Sequence, residues 1–409
     1  MRQMTCLACG SDVVSVLDLG SQPLANCLLR SSDEPYERYP LGLSACSNCG
    51  HAQLSHLIPP ESLFVDYVYA SGTSNTLRNY FDWFAVELRR FLPEGARVLE
   101  LACNDGSLLR AMSAKGLDVI GVDPAENLTA EARKKGSNVL TGFFPETKPE
   151  GKFDAIVAMN VAAHTPRPLE FLTGIAESLA DEGIAIIQTS QAKMIENGEL
   201  DTIYHEHCSF FSPSSMAVLA RRAGLVLESV RLVAVHGTSY SFQLRKPGAK
   251  VQHDFCSSEP FAVQWPNPTP VSMDVGFSGE KASAEFGRFA DKARSVIDRA
   301  HAAIECRRAE GYQVALVGVA AKAMTFIGAA NIRPDHFLDE ATLKIGLFVP
   351  GYTAPIRPFA DASALRKKTV FLIGAWNFAE EIKGKLRRAN LAGEHVIMSY
   401  FPEITEEKY

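Results

Sequence analysis

Short apolar runs alternate with amphipathic stretches through the middle of this chain. Runs of four to eight apolar residues bounded by turn residues form buried strands. On that basis strands are predicted at 97–101, 118–122, 138–141, 154–159, 184–190, 226–233 and 238–244. Upstream, Leu77, Tyr80, Phe81, Phe84, Leu88 and Phe91 recur at helical spacing and predict a helix over about 77–91. Downstream, 245–275 is rich in proline, serine and polar residues and reads as a connector. A long amphipathic helix is predicted over about 283–310. Val314 to Lys322 then reads as strand, glycine turn and helix, and Thr369 to Trp376 as another buried strand. Strands that alternate with helices make a parallel α/β sheet, so two α/β units are expected.

Composition narrows the class of function. The chain has 409 residues, a net charge of -6 and a pI near 6.0, which leaves no basic patch for a nucleic-acid polymer. No apolar run reaches the roughly 18–20 residues of a membrane helix. The first residues, Met1 to Cys6, lack the apolar core of a secretory signal. A cytoplasmic protein, monomeric and acting on a small molecule, is expected. In that compartment nine cysteines argue for metal ligands or free thiols rather than disulfides.

Four of those cysteines are paired in spacing. Cys6 and Cys9 form one Cys-x-x-Cys, Cys46 and Cys49 a second, and each pair is followed by a glycine, Gly10 and Gly50. Two such knuckles supply the four thiolates of a closed, structural, tetrahedral zinc site. Neither pair opens a helix after a strand, as a thioredoxin-like motif would. Residues 1–60 are turn-rich, with too little core to fold alone, so the zinc would hold them together. Cys27, Cys208, Cys256 and Cys306 have no partner spacing.

The first central strand runs into Ala102-Cys-Asn-Asp-Gly106, and the second ends at Asp123. Open α/β sheets bind ligands beyond the carboxyl ends of their strands, and an acid one strand on can accept from a ribose diol. The three spaced glycines of a dinucleotide site are missing. A nucleoside without phosphates fits better, and S-adenosylmethionine (SAM) is the natural candidate. A third strand ends at Asn160, followed by His164, which is either a polar group on the substrate side or a packing histidine. The densest polar cluster is Tyr204, His205, Glu206 and His207, flanked by Ile203, Phe210 and Phe211. A half-buried imidazole beside a carboxylate makes a general base near neutral pH. Adjacent histidines lack the i, i+4 spacing of zinc hydrolases, which leaves a structural hydrogen-bond network as the rival reading. His236-Gly237 opens a late strand and either presents backbone N–H groups or makes a turn. Gly318 to Lys322 either cradles an anion or is an ordinary βα turn, and its spacing favours the turn.

Taken together and in this order, several of these elements resemble one family, the SAM-dependent sugar C-methyltransferases of the nucleotide-linked 4-keto-6-deoxyhexose 3-C-methyltransferase type. The resemblance is carried by the four cysteines, Gly20-Ser-Gln-Pro-Leu-Ala-Asn26, Glu100 to Gly106, Asn160 to His164, Ile203 to His207, Gly318 to Lys322, Pro350-Gly351 and Ala375-Trp-Asn-Phe378. It implies a zinc-binding domain at 1–65, a Rossmann-like SAM-binding domain at 66–248 and a second Rossmann-like, substrate-binding domain at 249–409. It also implies that Glu100, Asn104, Asp105, Gly106, Asp123 and Asn160 line the SAM site. His207 would be the base, Glu206 its orienting partner and Tyr204 a donor to the enolate oxygen, with His164 joining them. Tyr67, Tyr69, His236, Lys322, Trp376 and Asn377 would contact the acceptor, a nucleotide sugar of natural-product biosynthesis. Three positions depart from the family pattern: Ala102 for glycine, Thr238 for glycine and Gln188 for glutamate. A different acceptor, methylated on oxygen or nitrogen, is the alternative enzyme reading, and a catalytically silent scaffold the alternative outside enzymology.

Overall fold

A computed structural model describes residues 4–64, 72, 75–250, 269–271, 279–389, 391 and 393–409. Three sheets organise them. The N-terminal segment forms β1 (Val14–Gln22), β2 (Tyr39–Ala45) and β3 (Ala52–Leu54), an antiparallel meander. The central unit contributes β4 (Arg97–Leu101), β5 (Asp118–Asp123), β6 (Val139–Thr141), β7 (Phe153–Met159) and β8 (Leu179–Thr189). After them come β9 (Ser209–Phe210), β10 (Val226–Val233), β11 (Ser239–Arg245) and β12 (Thr269–Pro270).

The central sheet has the order β12-β10-β11-β8-β7-β4-β5-β6. Strands β4 to β8 are parallel and β11 is antiparallel to both neighbours. The predicted strands match closely, because parallel strands covered on both faces are apolar throughout. Strand β8 begins at Leu179 rather than near 184; Asp181 and Glu182 in its first half are exposed and polar and so fall outside the apolar run. The helix Asn75–Phe91 buries Tyr80, Trp83, Phe84 and Leu88 against Val98 and Ile184. Its aromatic stripe is core, with Tyr80 stacked on Trp83 at 5.5 Å.

The C-terminal unit has β13 (Gln313–Val317), β14 (His336–Asp339), β15 (Ile356–Pro358), β16 (Thr369–Ile373), β17 (His395–Ser399) and β18 (Thr405–Lys408). Their order is β15-β14-β13-β16-β17-β18, parallel except for β18. The long predicted helix is observed over Gly279–Ala309. Its Phe286 and Phe289 share a core with Leu17, Leu43 and Leu54 of the N-terminal sheet and Phe326 of the C-terminal unit. The small N-terminal sheet is thus built into a core it could not supply alone.

Strand β9 is too short for any hydrophobic period to reveal it. It leaves the central unit and pairs with β3, Ala52 opposite Phe210 and Gln53 opposite Ser209. That pairing fixes the end of the segment carrying Tyr204 to His207. Within the predicted connector, Thr269–Pro270 pairs as a strand with Arg231 and Leu232. Cys256 lies outside the described residues. Among those described, no helix is long and apolar enough to cross a membrane.

Candidate active site

A cavity of about 1170 Å³ opens at the carboxyl end of the parallel strands. Its walls come from all three units: Asn26 and Phe64 from the first, Asn104, Asp123, Asn160, Gln188 and Tyr204 to His207 (His205 excepted) from the second, Lys322 and Lys344 from the third.

One end of the cavity is built by the turn after β4. Its backbone is left-handed at Ala102, Asn104 and Gly106 (φ +55°, +52° and +72°). Left-handed residues turn successive N–H groups toward one point. Asn104 N–H donates to Asp123 Oδ2 at 2.7 Å, and Ala125 N–H donates to Asp123 Oδ1 at 2.8 Å. Each carboxylate oxygen keeps a second acceptor site, so Asp123 can take hydroxyl donors from the cavity while remaining fixed from behind. A side chain at Gly121 would strike Cys103 Sγ at 2.5 Å, and its absence lets the turn lie close against β5. On the neighbouring strand ends, Tyr80 donates to Gln188 Oε1, and Gln188 Nε2 donates to Asn160 Oδ1 at 3.3 Å.

The expected SAM-site set divides. Asn104, Asp123 and Asn160 face the cavity, whereas Glu100, Asp105 and Gly106 lie behind it. Glu100 is buried beneath the turn, and burial, with Asp123 and Asp105 nearby, pushes its carboxyl well above the usual range. Asp105 turns back to accept from Ser107 N–H at 3.2 Å, and Gly106 supplies the bend that starts the following helix.

At the other end, His207 N–H closes a turn on the Tyr204 carbonyl at 2.8 Å. This sets the phenol and imidazole side by side, with ring centroids 3.9 Å apart and Tyr204 OH 2.7 Å from His207 Nε2. His207 Nδ1 lies 2.8 Å from the Thr202 carbonyl. A carbonyl only accepts, so Nδ1 carries the proton and Nε2 is the basic nitrogen, receiving the phenol hydrogen. By the same argument His164 Nδ1, 2.7 Å from the Glu206 carbonyl, is protonated. Burial holds His164 down to about 4. Burial first, then His164 and Lys322, holds His207 well below the ordinary histidine value.

Glu206 is not the orienting partner of His207. Its carboxylate accepts from Asn26 Nδ2 at 2.5 Å, and the Thr202 carbonyl holds the ring instead. The turn geometry sends alternate side chains apart, and His205 points to the Tyr39 carbonyl at 3.3 Å. Asn26 and Thr202 are not among the expected residues. Asn26 ends the Gly20–Asn26 stretch, whose residue types imply no role for it, and a carbonyl acceptor leaves no trace in residue type.

Of the expected acceptor contacts, His236 and Lys322 line the cavity. Burial and Lys322 bring His236 down to about 4. Trp376 does not face the cavity. Its indole N–H donates to buried Asp201 at 2.6 Å, and its ring packs on Phe401 at 4.2 Å. Asn377 sits against Gly237, where it closes the contact between central and C-terminal units. Lys322 reaches Glu199 at 3.3 Å and lies over the Trp376 ring, so the Gly318 turn makes an interdomain contact rather than an anion cradle. Tyr67 and Tyr69 lie outside the described residues.

The cysteines of the two knuckles come together. Sγ atoms of Cys6, Cys9, Cys46 and Cys49 lie within 4.8 Å of one another, with Cys6–Cys49 at 3.6 Å and Cys9–Cys46 at 3.5 Å. Zn–S bonds of about 2.3 Å in a tetrahedron put sulfurs about 3.8 Å apart. Donor type and spacing therefore fit zinc. Gly10 and Gly50, both left-handed, close the knuckles on the carbonyls of Cys6 and Cys46.

Three domain families match successive regions: a zinc binding domain at 6–64, a methyltransferase domain at 76–230 and a C-methyltransferase C-terminal domain at 278–401. The C-methyltransferase NovU of Streptomyces niveus is 29% identical over 92% of this chain and 90% of its own. A ubiquinone biosynthesis O-methyltransferase of Cereibacter sphaeroides is 27% identical over 41% of this chain and 75% of its own. Among solved structures, the SAM-bound magnesium protoporphyrin IX methyltransferase of Synechocystis PCC 6803 has a TM-score of 0.34 and 14% identity, covering 41% of this chain and 79% of that one. With a cluster of four cysteines at its head, a methyltransferase domain at its centre and a match to the C-methyltransferase C-terminal domain behind it, the chain is a SAM-dependent methyltransferase.

Proposed function

We propose that the chain methylates a carbon next to the ketone of a nucleotide-linked deoxysugar, a 4-keto-6-deoxyhexose, in natural-product biosynthesis. The observation that carries this reading is the Tyr204–His207 pair, whose basic nitrogen opens on the cavity that also holds Asp123 and Asn160. Methyl transfer to a hydroxyl asks less of a base, because oxygen already carries lone pairs. A carbon must first lose a proton.

SAM supplies an electrophilic methyl group. His207 Nε2 takes the proton from the carbon beside the ketone, and the C–H electron pair becomes the enolate. Tyr204 releases Nε2 as the acceptor enters and donates to the developing enolate oxygen, which concentrates charge stabilisation where the charge appears. With SAM bound, the residues around Asp123 and Asn160 would hold its methyl in line with that carbon, so that the C–C bond forms as the S–CH3 bond breaks and S-adenosylhomocysteine leaves, a step governed by alignment. Asn26 and Glu206 would hold a sugar hydroxyl, with His236 and Lys344 toward the nucleotide.

Mass spectrometry of products from a panel of keto-sugar nucleotides with methyl-labelled SAM tests this. A labelled methyl on a ring carbon is expected. Label found only on oxygen or nitrogen would favour the alternative, for which the O-methyltransferases matching the central region speak.

Two further outcomes follow. Asp123→Ala removes the ribose acceptor and unpartners two N–H groups, so SAM affinity by calorimetry should fall about tenfold to a hundredfold; unchanged affinity would reject the assignment. The second concerns pH. A lowered histidine pKa keeps Nε2 unprotonated as pH falls, and the base is lost only when pH passes below that pKa. Among the described residues, the titratable groups facing His207 are Tyr204, His164 and Lys322, together with the Thr202 carbonyl. The acid limb of kcat/KM should therefore lie clearly below the free-histidine value of about 6.5. A midpoint at that value would contradict the role of His207.

A further inference from the structure

We infer that Asp201 is a positioning residue for His207, and that the C-terminal domain, by hydrogen-bonding the Asp201 carboxylate, sets the tautomer and aim of the catalytic imidazole. This rests on the reading of His207 as the base.

Asp201 sits in the single helical turn Leu200–Thr202 and is 1% exposed. Its Oδ2 accepts from Trp376 Nε1 at 2.6 Å and from Tyr400 OH at 2.8 Å, both in the C-terminal domain. Among the described residues no lysine or arginine pairs with it, and its Oδ1 is buried without a partner. A carboxylate taken from water without a cation is costly, and neutral donors in fixed positions are what make it tolerable. The two donors are fixed. Tyr400 stacks face to face on Phe326 at 3.7 Å and 8°. Trp376 lies between Phe401 and the Lys322 ammonium, 4.4 Å above its ring. Lys322 also reaches Glu199, so the same C-terminal cluster grips the turn at two points.

The turn is short and closed. Thr202 N–H donates to the Glu199 carbonyl at 3.1 Å, and Ile203 N–H to the Leu200 carbonyl at 3.1 Å. The peptide unit after Asp201 therefore cannot move independently of its carboxylate. That unit leads into Thr202, whose carbonyl holds His207 Nδ1 and makes Nε2 the base. The chain of contact runs from Trp376 and Tyr400 through Asp201 and Thr202 to His207 without a gap. The domain expected to hold the acceptor thereby also holds the base in its working tautomer.

The test uses full-length, zinc-loaded protein labelled with 15N-histidine, the His207 signal being assigned by its loss in His207→Asn. Wild type should show a single Nδ1–H tautomer for His207. Trp376→Phe with Tyr400→Phe removes both donors, keeps the Tyr400 ring whole and leaves a smaller aromatic ring at 376. In that variant the His207 tautomer should average, with SAM affinity by calorimetry within about twofold of wild type. Turnover of an acceptor found in the product screen should show kcat lower by about tenfold, with acceptor KM nearly unchanged. A mere structural latch would raise KM or lower the melting temperature and leave the His207 signal alone. An unchanged His207 signal in the double variant and in Asp201→Asn overturns the proposal. If the double variant loses SAM binding through misfolding, Trp376→Phe alone decides on the same signal. The spectrum needs no acceptor, so failure of every sugar tried would count against the proposed function and not against this inference.

Discussion

His207→Asn should remove about 10²–10⁴ of kcat, the share that a positioned general base contributes, and leave SAM binding intact. Asparagine can keep an N–H near Nδ1 and so retain the bond to the Thr202 carbonyl, while Nε2, the one basic nitrogen of the ring, is deleted. The substitution therefore separates chemistry from local folding. SAM affinity should be unmoved, because Asn104, Asp123 and Asn160 lie on other strand ends. Single-turnover mass spectrometry of product and calorimetry with SAM check the two halves. Turnover near wild type on the true acceptor would sink the base assignment and, with it, the order of steps given for carbon methylation.

The elements legible in the sequence are those whose residues carry a period. Strands β4, β7 and the latter part of β8 declare themselves because both faces are buried, and the helix Asn75–Phe91 through its aromatic stripe. The four-cysteine cluster is legible because two matched spacings have few other uses. The catalytic cluster is visible as a density of titratable groups, but its wiring is not. Sequence adjacency suggests that Glu206 supports His207, yet a turn sends neighbouring side chains in different directions, and the support comes from a backbone carbonyl. Asn26 meets Glu206 across the boundary of two domains. Trp376 resembles a ligand platform in the sequence and proves to be a hydrogen-bond donor between domains. In each case the missing information is a contact distant in sequence or made by the main chain, and neither leaves a pattern in residue types.

Losing the zinc should disable catalysis while sparing the SAM site. Cys46→Ser with Cys49→Ser removes half of the sulfur set, and metal analysis of wild type should give about one zinc per chain. Structural zinc sites are worth about 10–16 kcal/mol in isolated finger peptides, comparable to the whole stability of a typical domain, about 5–15 kcal/mol. The N-terminal knuckles should therefore open without metal. The consequence reaches the active site through named bonds. Cys49 opens the loop to β3, which pairs with Ser209 and Phe210, and Leu54 N–H donates to the Cys208 carbonyl at 3.1 Å. Tyr39 receives His205, and Asn26 holds Glu206. These contacts anchor the far end of the segment whose near end Asp201 anchors to the C-terminal domain. With one anchor gone, the Tyr204–His207 pair loses its aim, and misplacement of about 1 Å costs about a hundredfold in rate. Turnover in the double serine variant should fall at least that far, with SAM affinity within about threefold of wild type. Full turnover without metal, or zinc retained after both substitutions, would show that the cluster neither binds the metal as drawn nor braces the catalytic segment.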